Sequence, residues 1–400
     1  LADPDPDTQA AGTASSRVLL ALIVGQLGLH AAMAGLRMAT PLQALRLGAS
    51  AWTVGLLLAL FAAAPVLLAM PAGRLADRLG YHRPVRWAAA LALAGMAVAV
   101  LSTQLPGLWP IAALCVAASL TGAAANTGML TIQRTAGLAA RNATERMRIF
   151  SWLGVAPSFS NVVGPVAAGL MIDATGFVGA YLLLMALPLA TLASARLVPV
   201  LPPPGVQAAA GRRAWDLLSQ PGLKRLLAVN WLFSMCWDVH TFAVPILGHE
   251  RGFSASTIGL ILGSFTLAVT GVRMLVPALA HRIDEVTVLR GAMLGSGAVF
   301  VLYPWAGTPL LMTGCAVLLG LTLGVAQPLI MTTLHHLTPE GRHGESLAFR
   351  SMAINASSTL MPLLFGALGS AVGAAVLFWS VGGAVGAGSW LTRRLARART

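Results

Sequence analysis

Gly73-Arg74-Leu75-Ala76-Asp77-Arg78-Leu79-Gly80-Tyr81-His82-Arg83 closes one long apolar run and opens the next. The runs on either side, 51–77 and 84–104, are each long enough to cross a bilayer, which takes about 20 helical residues. A short basic stretch between two such runs reads as a loop joining two membrane helices. Outward from it the pattern repeats. Apolar runs bounded by charge, Gly or Pro fall near 17–43, 51–77, 84–104, 108–133, 149–171, 177–197, 226–247, 256–279, 286–305, 308–334, 346–369 and 373–392. The sequence therefore predicts an all-α membrane protein of twelve transmembrane helices.

Composition excludes the soluble alternatives. Hydrophobic residues make up 57% of the 400 and charged residues 10%, with a mean hydropathy of +0.78. Soluble domains carry about 25% charged residues. The formal charge of +13 does not point to nucleic acid, because the basic residues (all Arg except Lys224) are scattered in short groups between apolar runs. Cys115, Cys236 and Cys315 each sit inside an apolar run, without metal-ligand spacing or a disulfide framework. Residues 1–16, with Asp3, Asp5 and Asp7, read as a disordered tail rather than a signal peptide.

Loop arginines set the orientation. Arg74, Arg78, Arg83 and Arg86 follow the second span; Arg141, Arg146 and Arg148 follow the fourth; Arg196, Arg212, Arg213, Lys224 and Arg225 follow the sixth. Arg393, Arg394, Arg397 and Arg399 end the chain, while the opposite loops carry only Arg46 and Arg251. Both termini are expected in the cytoplasm, and the protein in the cell inner membrane among its lipids. The chain also repeats. A shift of 204 places Pro41 on Pro245, Gly48 on Gly252, Phe61 on Phe265 and Arg78 on Arg282. A shift of 201 places Thr121 on Thr322, Asn126 on Gln327 and Thr131 on Thr332. A shift of 197 places Pro165 on Pro362 and Gly176 on Gly373. This predicts two pseudo-symmetric six-helix bundles, 17–197 and 226–392, with a cytoplasmic linker at 198–225 and a basic tail at 393–400.

Residues 73–83 resemble the loop signature between the second and third spans of the major facilitator superfamily. Tyr81 and His82 stand where that signature has a basic residue. The span count, repeat and central linker extend the resemblance over the whole chain, which resembles the drug or metabolite:proton antiporter-like members. It implies a gating role for Gly73, Asp77, Arg78, Gly80 and Arg83. Physically, Gly80 permits a tight turn, and Asp77 can pair with arginines or a helix N-terminus in one state of a latch. Gly164, Pro165 and Gly169 resemble the fifth-span packing motif enriched in the family's exporters, with Ala168 in place of one Gly. The Arg that many antiporters carry in the fourth span is absent; Ala118 occupies its place before Thr121-Gly122.

Polar residues inside spans are the candidate substrate and proton pathway. Gln26, His30 and Arg37 share one face of the first span, and Asn230, Ser234, Asp238 and Thr241 one face of the seventh. The 204 shift superimposes the two stripes. Asn126 and Gln327 are the matched polar residues of spans four and ten. Asp238 is the sole mid-span acid, with Arg37 as its expected partner, and such residues commonly carry function. A structural salt bridge is the competing role. His240 falls on another face, which favours packing, while Arg273 could snorkel or meet Asp238.

No nucleotide-binding, catalytic or metal pattern is present, so an enzyme and a cofactor are not expected. His335 and His336 point about 100° apart on a helix and make a poor metal pair. The reading is a monomeric secondary transporter of a small neutral or anionic organic molecule, working by alternating access as a proton-coupled efflux antiporter. Proton-linked uptake of an organic anion is the alternative within transport. A non-transporting membrane sensor or scaffold is the alternative of another class.

Overall fold

The structure is a computed structural model that describes residues 6–139, 143–199, 214–219, 221–279, 284–339 and 343–396. Its α-helices are α1 (Pro6–Arg46), α2 (Ala51–Leu79), α3 (His82–Ser102), α4 (Trp109–Ala139), α5 (Ala143–Ala195), α6 (Pro221–Glu250), α7 (Ala255–Leu279), α8 (Glu285–Leu302), α9 (Pro309–Leu337), α10 (His343–Val372) and α11 (Ala374–Ala396). No strand occurs among the described residues.

Nine described segments are helical, long and apolar enough to cross a membrane. One of them, Trp152–Ala195, has 44 residues. At 1.5 Å per residue it is about 66 Å long, roughly twice a bilayer core. The helix turns at Gly176, whose φ of 80° and ψ of −176° are not helical. The fifth and sixth expected spans are its two arms. α6 falls outside the nine, because Asn230, Ser234, Asp238 and His240 lower its hydropathy. This helical series is consistent with twelve crossings.

Three boundaries differ from expectation. α1 starts at Pro6, so residues 6–16 extend the first helix, and a proline is tolerated in its first turn. α6 starts at Pro221, which takes Lys224 and Arg225 from the expected linker into a helix. The chain also forms two compact units whose division is not that of the expected bundles: Leu1–Thr40 with Leu60–Gln207, and Pro41–Ala59 with Ala208–Thr400. Within the second unit, Gly55 lies so close to the Pro362 carbonyl oxygen that no Cβ fits, and glycine at 366 keeps the facing surface equally low. Backbone approach through small residues is how membrane helices gain contact without a hydrophobic drive.

In the first unit, α3 packs on α4 and α5. Leu29, Ala88, Ala92 and Ala124 form one core cluster. A second gathers Leu22, Tyr81, Val85, Ile132, Leu153 and Ala195. In the second unit α6 packs against α9, α10 and α11, α7 against α9, and α8 against α9 and α11. His240 is fully buried there. Its ring lies 4.2 Å from that of Phe265, and its Nδ1 lies 3.3 Å from the Tyr303 hydroxyl. That is a packing environment.

The internal repeat is visible in the backbone. Gly48 and Gly252, matched by the 204 shift, have φ of 79° and 70°; Gly176 and Gly373, matched by the 197 shift, have 80° and 82°. These left-handed conformations suit only glycine. Gly95 of α3 opens toward Thr121 of α4 as Gly295 of α8 opens toward Thr322 of α9. The 201 shift aligns those two threonines.

The fifth-span motif is a helix crossing. A Cβ on Gly164 would lie 2.6 Å from the Ala31 carbonyl oxygen and 2.7 Å from the Gly35 amide nitrogen. Backbone cannot yield as a side chain can. Gly164→Val is expected to destabilise the protein by about 1–3 kcal/mol, read as a lower melting temperature in detergent. Gly154→Ala, where a Cβ meets nothing within 4 Å, is the control expected to leave melting unchanged or slightly raised.

Candidate functional site

α6 carries the polar stripe and α10 faces it. Asp238 is 2% exposed. It accepts hydrogen bonds from the hydroxyls of Ser357, at 2.7 Å, and Ser358, at 3.2 Å. Eight residues earlier on α6, Asn230 is 3% exposed, and its Oδ1 accepts from Arg350 Nε at 3.1 Å. Asn230 and Asp238 lie about 12 Å apart along the axis. Arg350 and Ser357, seven residues apart on α10, meet them in the same order. The two helices thus share two polar rungs, one acidic and one basic.

The basic rung has spare capacity. Asn230 Nδ2 is buried without a hydrogen-bond partner among the described residues, and so is Nε of Arg273 on α7. Arg273 and Arg350 are near enough for their like charges to interact. Two guanidiniums of like charge and an unused amide donor are groups that an anion would satisfy. Part of the stripe is already satisfied. Thr241 Oγ1 bonds to the Trp237 and Asp238 carbonyls, at 3.2 and 3.1 Å, and Ser234 Oγ to the Asn230 carbonyl at 3.0 Å.

In the first unit Gln26 is 2% exposed, with both amide atoms lacking a hydrogen-bond partner among the described residues. His30, Arg37 and Asn126 are half-buried; Gln327, in the second unit, is exposed. Arg37, the expected partner of Asp238, belongs to the first unit. Within its own unit Asp238 accepts from Ser357 and Ser358. Sequence reasoning missed Arg350, Ser357 and Ser358. Arg350 was legible as a charge four residues inside the eleventh span.

Of the loop signature, Gly80 has a φ of 68° and Arg78 and Arg83 are exposed. The side chain of Asp77 and the surroundings of Gly73 lie outside the described residues, as does Arg282. Tyr81 replaces a basic residue because it is a core side chain, 5% exposed, with its ring edge-on to His82 at 5.4 Å. Burial pushes its phenol up, so it remains a neutral hydroxyl. Among the described residues no group of three His, Cys, Asp or Glu could hold a metal ion.

The family profile described as Major Facilitator Superfamily matches residues 22–234 and 226–399. The chain belongs to the major facilitator superfamily. Solved structures of similar fold include a POT family transporter in complex with a thioalcohol-conjugated peptide (TM-score 0.75, 14% identity, 96% of each chain covered). Another is a POT family transporter in complex with 5-aminolevulinic acid (0.76, 13%, 96% of each). A third is the nucleoside transporter NupG (0.70, 14%, 96% of this chain and 100% of that one). Among curated proteins none matches by sequence. At these identities the likeness is one of fold. It extends to peptide and nucleoside transporters rather than specifically to drug antiporters. This major facilitator protein is a multi-pass membrane transporter, not an enzyme.

Proposed function

We propose that the protein is a proton-coupled secondary transporter that exports a small organic anion by alternating access, with both termini on the cytoplasmic side of the cell inner membrane. The basic rung carries the choice of cargo. Arg350, Arg273 and Asn230 Nδ2 offer donors and two positive charges to an acidic group, and neither arginine forms an ion pair with a described residue. The fold does not choose the cargo, since transporters of peptides and of nucleosides share it.

The acidic rung supports proton coupling. A serine hydroxyl can donate or accept. Ser357 and Ser358 donate to Asp238 when it is ionised, and one of them can accept from it when it is protonated. The rung therefore holds either state without moving heavy atoms. Gln26, His30, Arg37, Asn126, Thr241 and Gln327 complete the pathway. The Gly164–Gly35 crossing, in a motif typical of exporters, supports the efflux direction.

A binding panel tests the cargo class. Small carboxylates and phosphate esters should raise the melting temperature of the purified protein, and amines of equal size should not. Stabilisation by amines alone would remove the anion reading.

A further inference from the structure

We infer that the first unit carries a binding site for an anionic phospholipid, between the start of α3 and the end of α5. A cavity of about 510 Å³ opens there, lined by His82, Arg86, Leu192, Ala195 and Arg196. No carboxylate is among the described residues that line it. Arg86 and Arg196 are exposed, and neither side chain makes an ion pair or hydrogen bond with a described residue. Two guanidiniums and an imidazole around one space offer a phosphate positive charge and N–H donors.

What continues from the cavity identifies the carrier of that phosphate. Along α3, Ala90, Ala94 and Ala97 lie exposed at helical spacing beyond Arg86. Along α5, Leu189 and Ala193 lead to Arg196 in the same way, with Leu189 52% exposed. Apolar side chains exposed on a membrane helix face acyl chains. Trp87, 51% exposed beside Arg86, is the amphipathic ring that settles at the headgroup level. The basic cavity therefore sits where two lipid-facing stripes meet the interface. A free phosphate would use the cations but not the stripes. A phospholipid uses both, and basic pockets between membrane helices commonly hold anionic headgroups. The site is separate from the rungs of α6 and α10.

The test uses the full chain in detergent, wild type against Arg86→Gln/Arg196→Gln. Both side chains are exposed, so the double variant should melt as wild type does without added lipid. Phosphatidylglycerol should raise the wild-type melting temperature more than phosphatidylcholine does. Native mass spectrometry should show phosphatidylglycerol retained on wild type and lost from the variant, with affinity falling roughly fivefold per arginine. Inorganic phosphate should have no effect. Equal retention by the variant, equal effects of the two lipids, or a full effect from inorganic phosphate would each overturn the proposal. If the variant melts early, Arg86→Lys/Arg196→Lys, which keeps both charges, should retain the lipid; loss of phosphatidylglycerol there would also overturn it.

Discussion

Proteoliposomes bearing Asp238→Asn should exchange cargo at zero gradient and fail to concentrate it when a pH gradient is imposed. The substitution nearly preserves shape. The amide that replaces the carboxyl can accept from one serine of α10 and donate to the oxygen of the other, so both contacts of 2.7 and 3.2 Å survive in kind. What is lost is the group that can gain and release a proton. Asp238 is the acid that the sequence places mid-span, and no other described side chain offers the same chemistry there. Gradient-driven accumulation should fall to background while binding and exchange stay within a few-fold of wild type. Removing the two hydroxyls instead, as Ser357→Ala/Ser358→Ala, leaves the carboxyl without those donors. That variant should lose melting temperature as well as coupling, since a hydrogen bond to a charged group contributes about 1.5–3 kcal/mol.

Arg350→Gln should weaken anion binding by about 10–100-fold, the equivalent of one charge-assisted hydrogen bond of roughly 1.5–3 kcal/mol. The same change relieves the repulsion between Arg350 and Arg273 and leaves Asn230 Oδ1 able to accept from the new amide. Melting temperature without ligand should therefore stay level or rise while affinity falls. Arg350→Lys keeps the charge but not the planar fork, and affinity should fall between the two. Isothermal titration with the strongest anion from the panel separates these outcomes. Unchanged affinity in Arg350→Gln would move the acidic group of the cargo elsewhere.

The helices were legible because a membrane imposes a length. Apolar runs of twenty residues bounded by arginine can do little else, and the glycines that end them are the ones with positive φ. Gly176 shows how local the signal is: one left-handed residue divides a 53-residue helix into two arms. The start of α1 was not legible. An approach of small and polar residues such as Thr8, Gln9, Gly12 and Ser15 carries no apolar signal, and three aspartates made it look like a tail.

Asp238 stood out because a carboxyl in an apolar run is costly, and sequence alone needs no structure to show that cost. Its serine partners did not stand out, since single serines are common in membrane helices. Symmetry drew attention to Arg37 on α1; it carries no signal for the packing of α10 on α6, which brings the serines to Asp238. Tyr81 was read as a departure from a motif; its burial makes it part of the core at the arginine-rich end.

The most direct test of proton-coupled anion transport follows protons. Liposomes loaded with a pH-sensitive dye and containing the purified protein are given an outward gradient of the strongest anion from the binding panel. In wild type the lumen should acidify as cargo leaves, and a proton ionophore should abolish the pH change. Asp238→Asn vesicles should show no acidification. A lumen whose pH stays constant in wild type while cargo leaves, or that acidifies equally in Asp238→Asn, would contradict the account.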